Sequence, residues 1–193
     1  KYPFMDSNKV FKIVYQFSKP VNDVEVFLAA FGYNGTRQSW KSSVPHLDVV
    51  EFSLGNADGS AYNGEMQLIK RSDCGGTTSS ISGGTVSSQN WKTTDLKIGI
   101  TSSTPFTELT LDYKEPSGQT GGYGFFPEIC LASVVTPITS STCVPPSIGD
   151  PFTTFPTDTK TINGISVKRT VDSGITAAIS FPGSHCGGSA VTY

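Results

Sequence analysis

The chain has 193 residues, 36% of them hydrophobic and 20 of them glycine, enough to bury a core of one full domain. A formal net charge of −2 with 16% charged residues excludes a phosphate-backbone binder, which needs a basic face. Lys and Glu are sparse against Ser and Thr, a mixture that suits exposed strand faces better than long solvated helices.

The first element is "VFKIVYQF", residues 10–17, with Phe11, Ile13, Tyr15 and Phe17 on one side at a period of two. "VEVFL" continues after "KPVND", whose Pro20, Asn22 and Asp23 predict a turn or bulge. A polar loop, "FGYNGTRQSWK", then carries Tyr33, Asn34, Arg37 and Trp40. "LDVVEFSL" (47–54) predicts a third strand, "GNADGS" a loop, and "GEMQLIKR" (64–71) a fourth strand. Residues 72–90 are nearly all small and polar, either a long loop or short solvent-facing strands. "DLKIGIT" (95–101), "FTELTLDY" (106–113) and "GFFPEICLASV" (124–134) follow as strands, the last two separated by the glycine-rich "KEPSGQTGGYG".

Composition then shifts. "TPITSSTCVPPSIGDPFTTFPTD", 136–158, has five prolines and no periodicity, and reads as an extended linker. "KTINGISVKRTV" and "GITAAISF" add two more strands, with Asn163-Gly164 suited to a tight hairpin. The expected fold is therefore all-β, a β-sandwich or jelly roll with a Pro-rich linker and extra C-terminal strands. Its divisions are a body at 1–135, a linker at 136–158, and terminal strands at 159–193. Those strands either pack on the body or are donated to a neighbouring copy or module.

Four cysteines, Cys74, Cys130, Cys143 and Cys186, lie far apart without metal-ligand spacing. In a secreted domain they read as two disulfides, with Cys74–Cys130 and Cys143–Cys186 the simplest of three pairings. Asn34 heads an N-G-T glycosylation pattern. The chain starts at "KYPFMDSNK", without initiator Met or apolar leader, so it reads as a mature product or an excised piece, and no stretch is apolar enough to span a membrane.

Catalytic chemistry finds little support. His46 and His185 lack a nucleophile elbow, and the strand carboxylates Glu51, Glu65, Glu108 and Glu128 most simply mark a wet face, although a close pair would suit a glycoside hydrolase. Asn56 and Asp58 in "GNADGS" are candidate ligands for Ca²⁺, the one cofactor considered. Sugar recognition needs an aromatic platform with polar neighbours, and Tyr33, Arg37, Trp40, Trp91 and Tyr123 are the candidates.

"FSKPVNDVEVFL", "DVVEFSL" and "FTELTLDY…GGYGFFPEIC" together resemble the repeated β-sandwich or jelly-roll modules of large secreted bacterial surface and adhesin-like proteins. The resemblance covers residues 10–134. It implies a non-catalytic, extracellular structural or adhesive role, with carbohydrate binding as the alternative. It transfers no catalytic residue.

Overall fold

The computed structural model describes residues 11–31, 46–74, 79–90, 94–114, 126–131, 157–172, 180–181 and 191–192. In chain order they form β1 (Phe11–Phe31), β2 (His46–Gly55), β3 (Met66–Cys74), β4 (Ser79–Ser82), β5 (Thr85–Asn90), β6 (Thr94–Lys114), β7 (Phe126–Leu131), β8 (Thr157–Ile162), β9 (Ile165–Asp172), β10 (Ser180–Phe181) and β11 (Val191–Thr192). Nine of these make one antiparallel, unclosed sheet in the order β4-β5-β2-β6-β1-β9-β8, with β3 added on β6 and β7 on β1; β10 and β11 pair separately. The all-β expectation is met.

Two predicted strands fuse at each of two places. Residues 11–31 form one strand through Pro20, and 94–114 one strand through Pro105. The two long strands pair along their length, but the register jumps at the prolines. Between Gln16↔Glu108 and Val21↔Phe106, residues 17–20 stand against Thr107 alone; between Val21↔Phe106 and Asp23↔Thr101, residues 102–105 stand against Asn22 alone. Proline is tolerated at such bulges because no ladder amide is needed there.

The jump also explains the apolar pattern. Ile13, Tyr15 and Phe17 are buried before it, Val24, Val26 and Leu28 after it, so the inward parity switches from odd to even. β6 switches the opposite way along the chain, from Leu96, Ile98 and Ile100 to Leu109, Leu111 and Tyr113. Phe17 and Phe106 meet edge-on at the corner, ring centroids 5.9 Å apart.

The corner divides the sheet into two arms. One carries β4, β5, β2, β9 and β8 around the outer halves of β1 and β6; the other carries β3 and β7 around their inner halves. Buried side chains from both arms form a single cluster. The arms also touch at both flanks. Lys70 Nζ on β3 donates to Ser79 O on β4 at 3.5 Å, and Asn163 Nδ2 in the β8–β9 turn donates to Leu131 O on β7 at 2.6 Å.

The β8–β9 hairpin belongs to this same sheet: β9 pairs with β1 from Lys12↔Asp172 to Phe17↔Val167. Its turn is the expected Asn-Gly, with φ of 49° at Asn163 and 75° at Gly164, as a two-residue primed turn requires. Residues 72–90, left open between loop and strand, contain the end of β3 and the β4–β5 hairpin.

The two-disulfide expectation is corrected: no disulfide joins cysteines among the described residues. The sheet gives the reason for the preferred first pair. Cys74 lies opposite Asp95 on β6, whereas Cys130 lies opposite Glu25 on β1, itself opposite Gly99 on β6. Three strand spacings across and four residues along put the two Cα atoms roughly 19 Å apart, far beyond disulfide reach. Cys143 and Cys186 lie outside the described residues.

Candidate functional site

Strand direction decides where the connections emerge. β1 ends and β6 and β7 begin at one arm's distal end, away from the proline corner, while β2 begins and β5 and β6 end at the other arm's distal end. Segments 32–45, 91–93 and 115–125 are therefore each anchored at the distal ends of both arms. The link from β5 to β6 is only residues 91–93, so the two arms' distal ends lie within roughly 14 Å of each other there.

Those three segments carry the sequence-selected aromatic and polar candidates: Tyr33, Asn34, Arg37 and Trp40 in the first, Trp91 in the second, Tyr123 in the third. These residues lie outside the described residues. Among the described residues, a polar group lies near the start of β2. Asp48 is fully buried, the Tyr113 hydroxyl donates to its Oδ1 at 2.5 Å, and buried Ser88 sits opposite it on β5. A buried carboxylate needs such partners. The local pattern of "LDVVEFSL" does not show this pairing, because Tyr113 lies 65 residues further along the chain.

At the corner end, Asn56 and Asp58 are occupied by their own loop. Asp58 Oδ1 accepts from Ser60 N at 2.9 Å and Ser60 Oγ at 2.7 Å, bonds that hold its carboxyl below the usual aspartate range. Asn56 Nδ2 donates to Ala61 O at 3.3 Å, which turns its amide nitrogen, not its oxygen, toward the loop carbonyls. No cluster of three His, Cys, Asp or Glu able to hold a metal occurs among the described residues.

Glu51 and Glu108, two of the strand carboxylates, are not neighbours on the sheet. Glu51 lies opposite Asp112, and Glu108 is four residues earlier on β6, about 13 Å along the strand. Lys114 Nζ bonds Asp112 Oδ2 at 2.7 Å and reaches Glu51 Oε2 at 3.7 Å; the Asp112 bond, with both carboxylates nearby, pushes the amine above its ordinary pKa. Glu108 accepts from Gln16 Nε2 at 3.1 Å. Glu65 is exposed at the corner, Glu128 is on β7 opposite Phe27, His46 begins β2, and His185 lies outside the described residues.

One charged cluster was missed. Glu25 is only 6% exposed although it points away from the Val24–Val26–Leu28 face. Arg71 Nε lies 3.9 Å from its Oε1 and Lys97 Nζ 3.6 Å from its Oε2. The residue opposite Glu25 is Gly99, where a Cβ would meet Arg71 Nε at 2.7 Å. The absent side chain lets the guanidinium lie across β6, and the register slip between Lys70 and Ser72 marks the bulge that carries Arg71. Asp23, two residues before Glu25, has its pKa raised, chiefly by burial, with Glu25 adding and Arg71 opposing. The available signal was a pair of carboxylates two apart in an otherwise apolar run, "DVEVFL".

Comparison of the chain with protein-family models, with curated proteins and with solved structures gave no match.

Proposed function

We propose that the two arms are the layers of a β-sandwich, and that the chain is a non-catalytic, extracellular surface or adhesive module presenting a recognition surface at its distal end. The carrying observation is that the strand ends flanking segments 32–45, 91–93 and 115–125 all lie at the distal ends of the arms, where Tyr113 bonds Asp48. A rigid scaffold with variable connections at one end is a general design for recognition. The bacterial surface modules that the sequence resembles supply the cellular setting of this reading.

A carbohydrate ligand is the second reading, favoured because those segments hold Tyr33, Arg37, Trp40, Trp91 and Tyr123. Aromatic faces with a few polar groups are what sugar rings stack on and bond to. A glycan array, followed by titration of any binder, tests both. Trp40→Ala, Trp91→Ala or Tyr123→Ala should weaken binding at least tenfold, while Glu65→Ala at the opposite end should leave it unchanged. Binding to a protein receptor lost on the same substitutions, with no glycan bound, keeps the adhesive reading and removes the sugar. Indifference to all three substitutions removes the distal site.

A further inference from the structure

β8 has one hydrogen-bonded neighbour among the described strands, β9, and among those strands its other side is an edge of the sheet. Its sequence is Thr-Asp-Thr-Lys-Thr-Ile, with Thr157, Thr159 and Thr161 exposed and Asp158, Lys160 and Ile162 half-buried. The hairpin fixes which backbone groups face outward. Ile162 and Ile165 close a two-residue turn and exchange hydrogen bonds, so Lys160↔Val167 and Asp158↔Arg169 do the same. The amides and carbonyls of Thr157, Thr159 and Thr161 must then point to the open side. Thr159 N–H accordingly donates to the Asp158 carboxylate at 2.8 Å, not to β9.

We propose that β8 is a homodimer edge: two copies of this chain join β8 to β8 antiparallel, about a two-fold axis at Thr159. This inference goes beyond the recognition reading and does not depend on it. Three independent features agree on the register. First, backbone parity: Thr159 meets the partner's Thr159, and Thr157 meets the partner's Thr161, so every outward amide and carbonyl of these threonines finds its complement. Second, face parity: a two-fold axis perpendicular to the sheet keeps exposed threonines beside exposed threonines and half-buried residues beside half-buried ones.

Third, charge. Asp158 falls opposite the partner's Lys160, and Lys160 opposite the partner's Asp158, in the non-hydrogen-bonded positions where opposed side chains approach most closely. Moving the axis one residue either way places Asp158 on the partner's Asp158, or Lys160 on the partner's Lys160. Like charges directly opposed are destabilising, so the pattern selects one register out of three. Half-buried charges on an edge strand ordinarily discourage pairing with unrelated strands. Against its own copy each of these charges meets an opposite one, which makes the edge selective for itself. Pairing exchanges the Thr159 N–H bond to Asp158 for a backbone bond and sets that carboxylate, which lies opposite Arg169 in its own chain, beside the partner's Lys160 as well.

The contact is one short strand per copy, so the dimer belongs among small, reversible interfaces. The test is solution mass by light scattering or sedimentation on the full chain, from about 10 μM to about 1 mM. Wild type should move from one-copy toward two-copy mass as concentration rises. Asp158→Lys and Lys160→Glu should each stay at one copy across the range, with circular dichroism confirming the fold. An equimolar mixture should recover two-copy mass, because each of its opposed pairs is again Lys against Asp or Glu. A wild type that stays at one copy throughout, a dimer that survives both substitutions, or a mixture of folded variants that fails to pair overturns the proposal.

Discussion

At the residue scale, the Asn163–Gly164 turn shows how a side chain and a backbone angle act together. Asn163 tolerates φ of 49° and also bonds Leu131 O on the other arm. Asn163→Ala should cost about 2 kcal/mol, from left-handed strain and the lost bond together. Asn163→Gly removes only the bond and should cost about 1 kcal/mol. Urea midpoints of the two variants separate the contributions, and equal losses would rule out the backbone share. Asp23 makes a pH prediction. Its folded pKa lies above the unfolded 3.8, so the folded state holds the proton more tightly. The associated stability is fully present below pH 3.8 and is lost as pH rises through the raised folded value. Asp23→Asn should therefore be at least as stable as wild type at pH 7, with that advantage gone below pH 3.8. A variant equally destabilised at every pH would remove burial of charge as the governing effect.

At the scale of elements, the β2–β3 connection, residues 56–65, is stitched onto the β6 corner. Ala57 N donates to Thr107 Oγ1 at 2.9 Å, Glu65 N donates to Ser103 Oγ at 3.1 Å, and the Tyr62 hydroxyl contacts Ser102 Oγ and Thr104 O. A Cβ at Gly64 would fall 2.8 Å from Thr104 Cβ and 2.6 Å from Tyr62 Cζ. Gly64→Ala should displace Tyr62 and raise amide exchange across 102–104, whereas Tyr62→Phe should cost about 1 kcal/mol and leave the loop seated. Unchanged exchange in Gly64→Ala would mean that the loop is held by Ala57 and Glu65 alone. The strand readings that succeeded here rested on period-two apolar runs, as in "FKIVYQF" and "FTELTLDY". Pro20 was legible as a turn or bulge, but the continuity of "VFKIVYQF" with "VEVFL" as one strand was not, because only the partner strand's matching insertion at 102–105 keeps the two halves paired. The β4–β5 hairpin was ambiguous since serines alternate with one another there instead of with apolar residues.

At the scale of the molecule, β1 and β6 belong to both arms, so neither arm has a core of its own. Thermal unfolding should be one cooperative transition by near- and far-ultraviolet circular dichroism alike. Removing residues 157–193 strips Ile165, Val167 and Val171 from the cluster and uncovers the edge of β1. The shortened chain should aggregate or melt far lower, and an unchanged melting temperature would show that the hairpin is an accessory. How much of the candidate site could be read from the sequence follows the same division. Trp40, Trp91 and Tyr123 could be picked out by chemistry alone, but their common end required strand directions, a long-range property. The Glu25 cluster joins three strands through Gly99, a residue whose role is to have no side chain, and local patterning carries no trace of that. The disulfide expectation failed for the opposite reason, since cysteine counting supplies pairs without distances.

The β1–β9 ladder carries a mechanical consequence. Lys12 and Asp172 face each other at its distal end, so a load pulling residues 11 and 172 apart acts perpendicular to the strands, on one rung at a time. Rungs loaded in succession open at lower force than rungs sheared together. Under such tension the β8–β9 hairpin would peel away first, in steps, while the corner and the β1–β6 ladder stay whole.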